Sequence, residues 1–139
     1  MSVYNPGPSG LGSAGSYQVS GKPFVSGGID VNAATSAGTP LEITFPSITR
    51  WIVIKNVDST VGKNVTIGAS LNGLAGDNNF VVEYDKGDYR NNSSTPRFEL
   101  RLSKIYLTGS STNVDVIAGL TGISVNELPN NWTGSVGVG

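Results

Sequence analysis

The ten residues Lys63 to Asn72 alternate without interruption. Val65, Ile67, Ala69 and Leu71 fall on one face; Asn64, Thr66, Gly68, Ser70 and Asn72 fall on the other. Successive side chains point to opposite faces only in an extended strand, so a period of two selects β structure that buries one face. The same period returns along the chain. Leu41–Phe45 alternates and is stopped by Pro46, and Asn78–Tyr84 supplies Phe80, Val82 and Tyr84. Arg97–Leu102 alternates charged with apolar residues, Ile105–Leu107 follows, and Asn113–Leu120 places Val114, Val116, Ala118 and Leu120 together. Arg50–Val57 differs, being apolar on both faces, with Trp51 and Val53 on one and Ile52 and Ile54 on the other. Such a strand is expected to be covered from both sides.

The links between these runs carry turn residues: Asn72-Gly73, Gly76-Asp77-Asn78, Lys86-Gly87-Asp88, Asn91 to Pro96 and Gly109 to Thr112. With Tyr17–Ser20, which could continue to Val25 with Pro23 at an edge or bend, the strands number about eight between positions 17 and 120. No window shows a 3.6-residue period longer than two turns, and no unit repeats at a fixed spacing. The expected fold is therefore all-β: a single eight-stranded jelly-roll sandwich over 17–123 with an extended N-terminal arm over 1–16. An immunoglobulin-like sandwich is the competing arrangement. The tail, 124–139, is expected to pack on the domain or on a neighbour. At 139 residues the chain suffices for one such domain.

The ends have a character of their own. Residues 1–28 hold seven Gly, six Ser, three Pro and one charge, Lys22. That composition buries too little apolar surface to offset backbone entropy. Val3, Tyr4 and Leu11 are spaced along it as docking points for a neighbouring molecule. In the tail Glu127 is the only charge from Thr121 onward, and Trp132 sits among Asn, Pro and Gly. Trp51 and Trp132 join Val3, Tyr4 and Leu11 as the candidate contacts to sister copies or to a shell. The start of the chain lacks the basic residues and apolar stretch of a signal peptide, so secretory export is not expected.

What is missing limits the chemistry. With no Cys and no His, disulfides, thiolate sites, Cys nucleophiles and His-dependent triads or zinc sites are excluded. Nine Lys and Arg against ten Asp and Glu give a net charge of −1, which argues against a dedicated nucleic-acid binder. No apolar run is long enough to span a membrane as a helix. Glu42, Glu83, Glu99 and Asp115 occupy outward slots of their strands and read as surface decoration rather than a hydrolytic pair. Ser103 and Lys104 are adjacent, so a strand points them apart. Asp77, Asp85 and Asp88 could offer hard oxygen ligands to calcium, but Lys86 and Arg90 lie among them and the spacing is not that of an EF-hand. A solvated loop is the simpler reading, so neither enzymatic activity nor a cofactor is expected.

Asn64, Asn91, Asn92 and Asn131 begin Asn-x-Ser/Thr triplets, which matter only where a glycosylation machinery is met. Trp51, Tyr84, Tyr89, Tyr106 and Trp132 could furnish a sugar-stacking platform, Tyr106 being the expected exposed member because it faces away from Ile105 and Leu107. A carbohydrate-binding sandwich is thus an alternative function.

Several stretches, taken in order, carry a resemblance: Gly10–Phe24, Thr49–Asn56, Val65–Gly73 with Asn79-Phe80, Phe98–Leu107, and Val114–Ile123. Over roughly residues 10–123 the chain resembles the small single jelly-roll penton proteins of icosahedral double-stranded DNA viruses. The resemblance implies a homopentameric plug at the five-fold capsid vertices, contacting surrounding major capsid proteins in the virion, without catalysis or cofactor. It also implies an arm before the first strand and flanks that meet neighbouring copies. A minor, cement or fibre-associated capsid protein is the variant within that class. The chain has no insertion between strands of the size that carries a receptor-binding spike.

Overall fold

The computed structural model describes residues 22–84 and 93–127. Its elements run β1 (Pro23–Ile29), α1 (Val31–Ser36), β2 (Leu41–Thr44), β3 (Thr49–Asn56), β4 (Asn64–Gly68), α2 (Leu71–Ala75), β5 (Asn79–Glu83), β6 (Lys104–Gly109) and β7 (Val114–Leu120), then a single 3₁₀ turn, Val125–Glu127. Two antiparallel sheets form, in the orders β1-β7-β3 and β2-β6-β4-β5. The all-β sandwich expected from the alternation is present.

The alternation also sets which residues enter the space between the sheets. Ile52 and Ile54 from β3 and Val114, Val116, Ala118 and Leu120 from β7 face Val65 and Ile67 from β4 and Ile105 and Leu107 from β6. Phe45, fully buried just after β2, meets Phe24 of β1 edge to face at 5.0 Å between ring centres, tying the two sheets together at one side. Each fully buried aliphatic side chain stabilises the fold by about 1.5–3 kcal/mol. Pro23 opens β1 at the sheet margin, where its missing N–H costs no ladder bond.

Seven strands, not eight, occur among the described residues. Tyr17–Ser20 lies outside them, as do residues 1–16 of the expected arm and 128–139 of the tail. Arg97–Leu102, expected as a strand, is not a regular one. The stretch from Ser93 to Leu102 runs antiparallel beside β3 but touches it as isolated bridges, Lys55 with Ser94 and Ile52 with Phe98. Threonine side chains take over the missing ladder positions. Thr95 Oγ1 accepts from Ile54 N at 2.9 Å, while Thr49 Oγ1 donates to Leu100 O and accepts from Leu102 N. Pro96 has no N–H to give.

The strand expected over Lys63–Asn72 ends at Gly68, and Leu71 is exposed at the start of α2 rather than buried in line with Val65 and Ile67. Both short helices start on side-chain caps: Asp30 Oδ1 accepts from Ala33 N, and Ser70 Oγ accepts from Gly73 N. α1 packs on β6 and β2, and α2 on β4 and β6. Both therefore belong to the second sheet.

Candidate interaction surface

On the outer side of the β1-β7-β3 sheet the register lays apolar residues in adjoining rows. Val25, Ile117 and Val53 form one row across three strands; Pro23, Gly119 and Trp51 form the next. Val25 is 70% exposed, and Ile117, Val53 and Trp51 are half-buried. Gly119 is what allows the indole to lie against the sheet, since a Cβ there would overlap Trp51 Nε1. Beyond the rows stand the exposed ion pair Arg97–Glu99 at 2.6 Å and the cross-strand neighbours Lys55 and Asp115.

Of the cover expected on both faces of β3, the described residues supply one side. The second sheet covers Ile52 and Ile54, but among the described residues no sheet or α-helix lies across Trp51 and Val53. The other candidate contacts, Val3, Tyr4, Leu11 and Trp132, lie outside the described residues.

The expected exposure of Tyr106 is corrected. It points away from the core as its parity requires, opposite Glu42 on one side and Gly68 on the other, yet it is only 6% exposed. α2 folds over that outer face. A Cβ on Gly68 would lie 3.2 Å from Leu74 Cβ and from two backbone atoms of the helix region. Lys104 Nζ sits 5.9 Å above the Tyr106 ring and 3.5 Å from Glu42 Oε1. Its hydrogen bond with Tyr106, aided by Glu42, raises the ammonium above the usual lysine range against the opposing effect of burial. Among the described aromatic candidates, Trp51 and Tyr84 are half-buried, one on β3 and the other just past the end of β5 in the other sheet, so no open stacking platform arises from them.

The candidate carboxylates do not converge. Glu42 and Glu83 lie on the two margins of the four-stranded sheet, three strand spacings or about 14 Å apart. Glu99 pairs with Arg97, and Asp115, in the three-stranded sheet, accepts from Gly28 N of the adjoining β1. Asp77 is exposed, while Asp85 and Asp88 lie outside the described residues. Among the described residues no three potential metal ligands cluster. Of the Asn-x-Ser/Thr positions only Asn64 is described. It is half-buried, with its backbone O accepting from Ser110 N and Ser111 N.

One polar group of side chains, not anticipated from the sequence, sits buried at the end of the sandwich near Asn56. Asn56 Nδ2 donates to Lys63 O and Val82 O, and its Oδ1 accepts from Ser111 Oγ at 2.7 Å. Asp58 accepts from Thr60 N and from both N and Oγ1 of Thr112. The Thr112 amide is the main reason its carboxyl lies below the usual range. Burial opposes that shift; Thr60, the Thr112 hydroxyl and Lys63 add to it. The signal was legible as Asn56-Val-Asp-Ser-Thr60, a run of residues that bond local backbone. The depression beside it, lined by Lys55, Asn56, Val57 and Ser93 to Pro96, finds the Asn56 amide already engaged. These hydrogen bonds fasten loops together and leave that amide nothing for a ligand.

Among the described residues no helix is long and apolar enough to cross a membrane. No protein-family model, curated protein or solved structure matches the chain.

Proposed function

We propose that the protein is a structural capsid protein, the penton that plugs the five-fold vertices of an icosahedral virion as a homopentamer and touches the surrounding major capsid proteins. The observation that carries the reading is the open apolar face around Trp51, Val53, Ile117 and Val25, a surface that a solitary sandwich does not use. Cyclic symmetry lets identical copies cover one another without leaving an unmatched end. A net charge of −1 keeps repulsion between packed copies low.

The jelly-roll reading has its own support. Counting the bridged stretch 93–98 as a strand, the pairs β1 with β7, β2 with β6, that stretch with β3, and β4 with β5 nest like the arms of one long hairpin. Rolling such a hairpin places β3 beside β7 and β4 beside β6, the two remaining contacts. The sequence resemblance to single jelly-roll pentons points the same way. The test is a cryo-EM reconstruction of particles containing this chain, with five copies of the sandwich expected around each five-fold axis. A chain absent from the particles, or placed away from the vertices, would overturn the proposal.

A further inference from the structure

Asn72-Gly73, read from the sequence as a turn pair, is the single Asn-Gly in the chain, and the fold sets it inside the first turn of α2. Glycine carries no Cβ to shield its nitrogen, so this pair is the one most open to ring closure. In that reaction the Gly73 nitrogen bonds to Asn72 Cγ and gives up its proton. The Cγ–Nδ2 bond breaks and ammonia leaves, which closes a five-membered succinimide. Water then opens the ring at either carbonyl, giving aspartate or isoaspartate at position 72. Water enters and ammonia departs, with no oxidant, reductant or enzyme required.

We infer that Asn72 is a latent deamidation position, held shut by Ser70 while α2 is folded and released when α2 opens. Two side chains fix the peptide that must move. Ser70 Oγ accepts from Gly73 N at 2.9 Å, so the attacking nitrogen is engaged. Asn79 Nδ2 donates to the carbonyl oxygens of Gly73, Leu74 and Gly76 at 2.9, 3.2 and 2.8 Å. Gly73 is buried, while Asn72 is exposed to the water that hydrolysis needs. A helix of five residues has little stability of its own, so these side chains set how often it opens. The product matters to the fold. Isoaspartate lengthens the main chain by one methylene inside the turn that Ser70 closes, and α2 is the cover over Tyr106. Reaction at Asn72 therefore loosens the seal on the second sheet.

The experiment holds the full chain in mildly alkaline buffer, folded or unfolded in urea, and follows deamidation at Asn72 by fragment-ion mass spectrometry. The folded wild type should react at least about 10-fold more slowly than the unfolded chain. Folded Ser70→Ala should react about fivefold faster than the folded wild type, the factor that corresponds to a lost cap. In urea the two should react alike. Should Ser70→Ala lose the wild-type circular dichroism, Ser70→Gly carries the same comparison, glycine being accepted at a cap. Equal rates for the folded and unfolded wild type would overturn the guard, as would a folded variant that reacts at the wild-type rate. An unfolded chain in which Asn72 reacts no faster than the other asparagines would remove the position itself.

Discussion

The two outer faces of the sandwich start from the same rule and end differently. On each, every second residue of a strand points away from the core. On β2-β6-β4-β5 the outward Tyr106 is buried under α2 and held between Glu42, Lys104 and Gly68. On β1-β7-β3 the outward Trp51 lies on Gly119 with no sheet or α-helix above it among the described residues. Parity decides the side of a sheet on which a residue stands. What lies over that side depends on where the connections travel, and α1 and α2 both travel over the second sheet. Trp51, Val53 and Ile117 are therefore left on the first sheet without a sheet or α-helix over them among the described residues.

This contrast can be broken most directly at the two aromatic residues. Tyr106→Ala should cost about 3–4 kcal/mol, the usual loss for a buried aromatic ring, read from urea unfolding. A cost below that of Trp51→Ala would show that α2 does not seal its face. Trp51→Ala should cost about 2 kcal/mol in the isolated chain, because only part of the indole is out of water. A loss equal to that at Tyr106 would mean that the isolated chain covers both faces alike.

Gly119→Ala sharpens the comparison further. The added methyl overlaps the indole, which must swing off the sheet, so stability should fall by about 1 kcal/mol. In a Trp132→Phe background the emission of Trp51 should shift to the red. An unchanged spectrum would show the ring is not seated on Gly119.

The smallest effect is expected from pH on the covered face. Lys104 has a raised folded-state pKa, so its contribution is fully present below the unfolded value, about 10.4, and is lost as pH rises through the higher folded value. Thermal scans in alkali should therefore show a steeper decline for the wild type than for Lys104→Met. Parallel curves would remove the Glu42–Lys104–Tyr106 group from the account.

Much of the framework was readable from residue order alone. The alternations at Leu41–Thr44, Asn64–Gly68, Asn79–Glu83 and Val114–Leu120, and the apolar run at Thr49–Asn56, mark strands, and parity names Val65, Ile67, Val114 and Val116 as core; the run at Thr49–Asn56, apolar on both faces, did not separate Ile52 and Ile54 from Trp51 and Val53. A period of two is a local property of an extended backbone, so local sequence suffices to set it. The helices were less visible because they are six and five residues long, too short for a hydrophobic period, although their caps Asp30 and Ser70 were in plain view. The candidate surface was half legible: Trp51 and Val53 could be named, but Val25 and Ile117 could not be set beside them without the register. Tertiary structure alone decided three matters. Threonine side chains replaced part of a ladder beside β3, so an alternating stretch remained irregular. α2 closed over Tyr106, so an outward residue became buried. The joining of β1, β7 and β3 gathered four scattered side chains into one face. Each depends on contacts between residues far apart in the chain, which period and propensity, being sums over neighbours, do not contain.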